Sequence, residues 1–175
     1  MTASKTKITI SPNSVSLAGE FAVLSRLALF GYDASMTLGR TKSVDILVSD
    51  PKTNQIYQLE VKTAQNRRNR PPVSKVHGRF LCDWMMGVKH ESISTPTLWY
   101  CFVSIVGLDL RTARYFIVPS EVVAEYVRVE HQLWLDAAVR HDTPMRTFRI
   151  GFKDESYAIA TPSIEQYEDN WEFKR

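Results

Sequence analysis

Asp45 interrupts the apolar run Val44-Asp45-Ile46-Leu47-Val48, and Glu60 and Lys62 flank Val61 in Gln58-Leu59-Glu60-Val61-Lys62-Thr63. In an extended strand, residues two apart leave the same face with Cα atoms ~6.6 Å apart, so Glu60 and Lys62 emerge together. From an adjacent strand the Asp45 carboxylate comes within reach of Glu60. Two carboxylates so placed repel, and a divalent cation is the usual remedy. A third carboxylate, Glu20, falls on the apolar face of a preceding helix, where it is costly unless it meets a cation, a metal or water. In isolation a Glu-x-Lys pair describes a solvated face with a weak ion pair. The conjunction with Asp45 and Glu20 points instead to a metal pocket.

The elements that must position these residues are legible from periodicity. Ser14 and Ser16 are candidate N-caps and Gly31 a candidate left-handed C-terminal glycine, which predicts a helix between them. At 100° per residue its apolar face collects Leu17, Phe21, Leu24, Leu27 and Ala28, with Arg26 opposite. The runs 44–48 and 55–62, separated by the turn cluster Asp50-Pro51 and Thr53-Asn54, predict an antiparallel hairpin. Alternation places Asp45 with Leu47 on the first strand. On the second, Leu59 and Val61 face the core. Residues 66–79 are basic and proline-interrupted and read as a loop. Strands follow over Phe80 to Met85, Trp99 to Val106 and Ala113 to Val118. Ser120 is placed as the cap of a helix bearing Val122, Val123, Tyr126, Val127, Leu133 and Leu135. Phe148, Ile150 and Phe152 suggest a last strand before a terminal segment around Trp171. No repeat or Gly/Ser linker divides the chain, which predicts one domain over residues 1–175 with residues 1–13 as an arm.

On these residues the chain resembles the PD-(D/E)XK nuclease superfamily, which includes restriction endonucleases and archaeal Holliday-junction resolvases. The match is carried by Glu20 in the first helix, Asp45 in Val-Asp-Ile-Leu-Val and Glu60-Val61-Lys62, chiefly within residues 14–65. Val44 stands where the superfamily name has proline, a common substitution. The later Tyr115-Phe-Ile-Val-Pro-Ser-Glu-Val-Val-Ala-Glu-Tyr and the Asn170-Trp171 ending are similar to a group of bacterial proteins of unassigned activity built on such a core. The resemblance implies an α/β fold with a restriction-endonuclease-like core, a mixed β-sheet flanked by helices, in the order helix, strand, strand, strand, helix, strand. It further implies a Mg²⁺-dependent endodeoxyribonuclease, with Mn²⁺ as a substitute, that hydrolyses DNA phosphodiester bonds. Asp45, Glu60 and the Val61 carbonyl would hold the metal. Lys62 would orient or deprotonate a metal-bound water and neutralise charge on the pentacovalent phosphate. Glu20 would hold the metal's water shell or a second metal. Cleavage of two strands implies, by analogy, a homodimer. The alternative is a catalytically inactive nuclease-fold protein that binds DNA or a protein partner, and RNA is left open as a substrate.

Composition neither adds to this nor opposes it. The 22 Lys and Arg against 19 Asp and Glu leave a net charge of +3, too little to announce a nucleic-acid partner by itself. The placement of the basic residues is more telling. Arg40 and Lys42 precede Asp45, and Arg67, Arg68, Arg70, Lys75 and Arg79 follow Lys62. These residues read either as a solvated loop or as a phosphate clamp on DNA. Cys82, Cys101 and the scattered His77, His90, His131 and His141 offer no zinc-ligand spacing, and the histidines read as structural or exposed. There is no Gly-x-Ser-x-Gly and no phosphate-cradling glycine loop. No window approaches the ~20 apolar residues of a membrane span, and the polar N-terminus lacks a signal-peptide pattern, so the expected location is the cytoplasm.

Overall fold

The computed structural model describes residues 10–37, 44–66, 73–74, 78–137, 141–151 and 161–175. The first helix, α1, spans Pro12–Leu29. It starts earlier than Ser14 because Ser11 is the cap. The Ser11 Oγ accepts from the Ser14 N–H at 3.1 Å, and Pro12 brings a helix-ready φ to the first turn. Beyond the last turn, Gly31 takes φ +84°, the left-handed value expected of it.

The face that α1 buries is rotated from the predicted one and shares Leu27, with Leu24 half-buried at its edge. Gly19, Val23 and Leu27 point inward, whereas Leu17 is 47% and Phe21 53% exposed, and Ala28 is exposed as well. Gly19 explains the rotation. With no Cβ, it lets the helix settle directly onto Thr63 of the sheet, a contact no other residue type at position 19 would permit.

The central sheet has five strands in the order β1 (Asp33–Met36), β2 (Ile46–Ser49), β3 (Ile56–Asn66), β6 (Leu98–Val106) and β7 (Asp109–Pro119). The β2–β3 hairpin forms as predicted, in the register Ile46↔Leu59. Its turn is tied by Asp50, whose carboxylate accepts from the Lys52 N–H and the Thr53 hydroxyl, both at 2.8 Å. β3 and β6 are parallel; the other pairs are antiparallel. The sheet is therefore mixed, and helices flank it.

A parallel pair needs a long crossover, usually a helix. Here the expected helix between the strands is absent from the described part of the crossover. The chain instead passes through β4 (Val73–Ser74), β5 (Gly78–Gly87) and a 3-10 turn at Val88–Glu91. β4 and β5 form a second, three-stranded sheet with β8 (Met145–Gly151). The strand predicted over Phe80 to Met85 thus exists but belongs to this second sheet. The second long helix, α2 (Ser120–Asp136), follows β7 and buries Val123, Tyr126 and Val127 as expected. Ser120 is its first residue rather than its cap. Fully buried, its hydroxyl donates to the Thr95 carbonyl at 2.9 Å and accepts from the Thr95 N–H at 3.0 Å, tying the helix start to the crossover. A four-residue helix, α3 (Ile164–Tyr167), precedes the C-terminal segment.

The central sheet is buried on both faces along β6 and the second half of β7, while Leu47 of β2 and Ile56 of β3 are exposed. One face packs α1 against Leu59, Val61, Trp99, Cys101 and Val103, closed at the end by Trp171 and Phe173. The other face presents Tyr100, Phe102, Phe116 and Val118 to α2 and the second sheet, with Phe148 stacked on Phe102 at 4.1 Å between centroids. Alternation along β3 hence sends Leu59 and Val61 toward α1, and Glu60 and Lys62 to the opposite face. No helix of the described residues is long and apolar enough to cross a membrane.

Candidate active site

The site forms where β2 stops pairing with β3. The Asp45 N–H donates to the Leu59 carbonyl at 2.7 Å, and β2 begins at the next residue, so Asp45 lies just outside it. The next donor on β3, the Val61 N–H, has no strand partner on that side among the described residues. The Asp45 carboxylate takes its place, with Oδ2 accepting from Val61 at 2.7 Å. Within a strand the N–H and C=O of one residue leave on the same side, so the Val61 carbonyl faces the same gap. Thr37 braces the segment, its N–H donating to the Asp45 carbonyl at 2.9 Å and its hydroxyl to the Val44 carbonyl at 2.7 Å.

Glu60 is 3% exposed and Lys62 28%, with Nζ 2.6 Å from Glu60 Oε1. The second carboxylate oxygen, Oε2, is buried and makes no hydrogen bond among the described residues. Opposite Glu60 in the parallel register stands Tyr100. The Tyr100 hydroxyl is 2.7 Å from His90 Nδ1, and His90 Nε2 is 3.7 Å from Glu60 Oε1. Burial pushes His90 down to about 4, so its ring is neutral near pH 7, and burial raises the Tyr100 phenol well above its usual range. Sequence reasoning missed both residues. His90 sits thirty positions beyond Glu60 in no motif, and only the crossover returns it to β3.

Glu20 receives a hydrogen bond from the Ser16 hydroxyl at 3.3 Å. Its carboxyl is raised above the usual range by burial and then by the Asp45 charge. Asp45 is raised too, by burial first and also by Glu60, against the opposing pulls of the Val61 N–H, Lys62 and Lys89. Charge coupling thus links Glu20 to Asp45 and Lys62, and Asp45 to Glu60 and Lys62. The basic residues Arg40, Lys42, Arg67, Arg68, Arg70 and Lys75 lie outside the described residues. The backbone of Arg79 lies on β5, opposite Val73.

Among the described residues no three His, Cys, Asp or Glu side chains converge as a closed metal cage. Mg²⁺ rarely uses one, since it keeps several waters and takes one or two carboxylates. Glu60 Oε2, the Asp45 carboxylate and the Val61 carbonyl are oxygen donors of the type such an open site takes.

The charge crowding has a measurable consequence. A carboxyl whose folded pKa lies above its unfolded value contributes stability that is complete below the unfolded pKa and is lost as pH rises through the folded one. Ionised Asp45 is therefore a stability cost at neutral pH. Asp45→Asn keeps an oxygen to accept from Val61 and drops the charge. It is expected to stabilise the metal-free protein by about 1 kcal/mol at pH 7, with the gain shrinking toward the acid side as Asp45 protonates. Melting curves of both proteins across pH check this, and a lower Tm for the variant at pH 7 contradicts it.

No described protein family matches the chain, and no curated protein matches it in sequence. In three dimensions it is similar to a bacterial homing endonuclease, I-Ssp6803I, with a TM-score of 0.52 over 94% of this chain and 91% of that chain, at 10% identity. At that identity the likeness is one of fold.

Proposed function

We propose that this chain is a Mg²⁺-dependent endonuclease that hydrolyses DNA phosphodiester bonds on a PD-(D/E)XK-type core. One observation carries the reading. The Asp45 carboxylate is locked onto the Val61 N–H at the open edge of β3, where buried Glu60, with an unpaired oxygen, and Lys62 emerge together. Asp45, Glu60 and the Val61 carbonyl would hold Mg²⁺, or Mn²⁺ in its place. When bound, the ion supplies a water acidic enough to attack phosphorus and shields the charge of the phosphate. Lys62, whose ammonium is partly open to solvent, orients that water and neutralises charge developing on the phosphate oxygens. Glu20 accepts hydrogen bonds from water on the α1 side of the pocket. Arg40, Lys42, Arg67, Arg68, Arg70, Lys75 and Arg79 are assigned as phosphate contacts along the DNA. The fold shared with a homing endonuclease agrees with DNA as the partner.

A nicking assay tests this. Supercoiled plasmid and single-stranded, flap and junction DNA, with an RNA control, are incubated with Mg²⁺, Mn²⁺ or EDTA. Cleavage is expected with either metal, none with EDTA and far less with Lys62→Ala. Salt-sensitive DNA binding without cleavage would assign an inactive nuclease fold instead. Equal cleavage by the parent and Lys62→Ala would remove the site assignment.

A further inference from the structure

We infer that His90, held by Tyr100, is a positioning residue that fixes the orientation of the Glu60 carboxylate toward a bound divalent cation. This rests on the reading of Glu60 as a metal ligand.

His90 is 2% exposed, and Tyr100 and Glu60 are buried with it, three polar side chains at the edge of a core face otherwise lined by residues such as Phe102, Trp84 and Met86. Buried polar groups persist where they satisfy one another. One ring nitrogen, Nε2, faces Glu60 Oε1, and the other, Nδ1, lies 2.7 Å from the Tyr100 hydroxyl. The tautomer with its hydrogen on Nε2 matches both contacts, turning an N–H toward the carboxylate oxygen and leaving Nδ1 to accept from the hydroxyl. An edge-on ring contact, 5.6 Å between centroids at 71°, seats the imidazole on Tyr100. At 3.7 Å the Nε2–H acts on Oε1 as an oriented dipole rather than a hydrogen bond.

The two oxygens of Glu60 are thereby distinguished. Oε1 is held by Lys62 at 2.6 Å and faced by His90, while Oε2 makes no hydrogen bond among the described residues, and the Tyr100 phenol lies close enough to the carboxylate to feel its charge. Rotation of the carboxylate would exchange the two oxygens and set Oε1 adrift from both. The Tyr100–His90 pair opposes that rotation and keeps Oε2 as the ligand atom. This follows the general pattern in which groups hydrogen-bonded behind a ligating carboxylate tune metal affinity.

The test measures Mn²⁺ binding to DNA-free protein, by electron paramagnetic resonance of the unbound ion, for the parent, His90→Phe, His90→Gln, Tyr100→Phe and Glu60→Gln. His90→Phe is expected to weaken Mn²⁺ binding about tenfold, and Tyr100→Phe to weaken it in the same direction. His90→Gln, whose amide nitrogen can stand where Nε2 stands, is expected to recover to within a factor of about three of the parent. If Glu60→Gln loses Mn²⁺ while His90→Phe and Tyr100→Phe bind it as the parent does, the positioning role is overturned and the metal reading stands. If Glu60→Gln binds Mn²⁺ like the parent, both fall. Should His90→Phe fail to fold by circular dichroism, Tyr100→Phe and His90→Gln decide, and parent-like affinity in Tyr100→Phe overturns the inference.

Discussion

Metal-dependent cleavage of duplex DNA is expected to fall by about 10²- to 10³-fold in Lys62→Ala and at least as far in Glu60→Gln. The two substitutions remove different things. Glu60→Gln is isosteric, retains an oxygen to face Lys62, and deletes only the charge that a divalent cation requires. Its loss should appear as weakened metal binding with the fold intact. Lys62→Ala deletes the cation that contacts the buried Glu60 carboxylate among the described residues. In the metal-free protein that leaves Glu60 to take up a proton or to destabilise the fold, since an unpaired buried charge is costly. The rate in this variant is therefore measured with Mn²⁺ at saturation, where the metal replaces Lys62 as counter-ion and the remaining deficit reports on the chemical step. Lys62→Arg gives a sharper contrast. A planar guanidinium keeps the charge and the ion pair but not the compact ammonium that orients the water, so its rate should stay below that of the parent. If both Lys62→Ala and Glu60→Gln cleave within a few-fold of the parent, the chemistry lies elsewhere.

Gly19→Ala is expected to destabilise the protein by about 2 kcal/mol, although alanine is the better helix former by ~1 kcal/mol. An alanine Cβ at this position would lie 1.8 Å from Thr63 Oγ1, 2.9 Å from its Cβ and 3.0 Å from its Cγ2. Turning the threonine about χ1 does not help, because its Cβ is itself too close. Either α1 lifts from β3 or the strand bends, and both loosen the packing of Val23 and Leu27 against Leu59 and Val61. Lifting α1 would also carry Glu20 away from Asp45. Urea melts of Gly19→Ala, Thr63→Ala and the double variant measure the effect. Thr63→Ala removes the two outer atoms of the clash, so the double variant should recover more than half of the loss. A stabilised Gly19→Ala would mean that α1 is not seated on Thr63.

The sequence by itself determined the parts of this protein that depend on neighbours a few residues apart. Period-two alternation placed Glu60 and Lys62 on one face of β3, and the turn residues around Asp50 placed the hairpin that brings Asp45 alongside. The helices over residues 12–29 and 120–136 were legible from their apolar spacing. Even so, the buried side of α1 was misread. Periodicity weighs hydrophobic residues and gives no weight to a glycine, whereas close packing on Thr63 selected the side with no Cβ.

The rest was decided by tertiary contacts for the same reason: it joins residues distant in the chain. Asp45 became a cap for Val61 because β2 begins only at the next residue, which residue types alone do not show. The crossover runs through a second sheet instead of a helix, and no local pattern reveals which sheet a strand joins. His90 and Tyr100 meet Glu60 only because β3 and β6 run parallel in the register Glu60↔Tyr100 and the 3-10 turn at Val88–Glu91 folds back over them. Local spacing thus supplied the charges of the site, and the parallel register supplied what holds them in place.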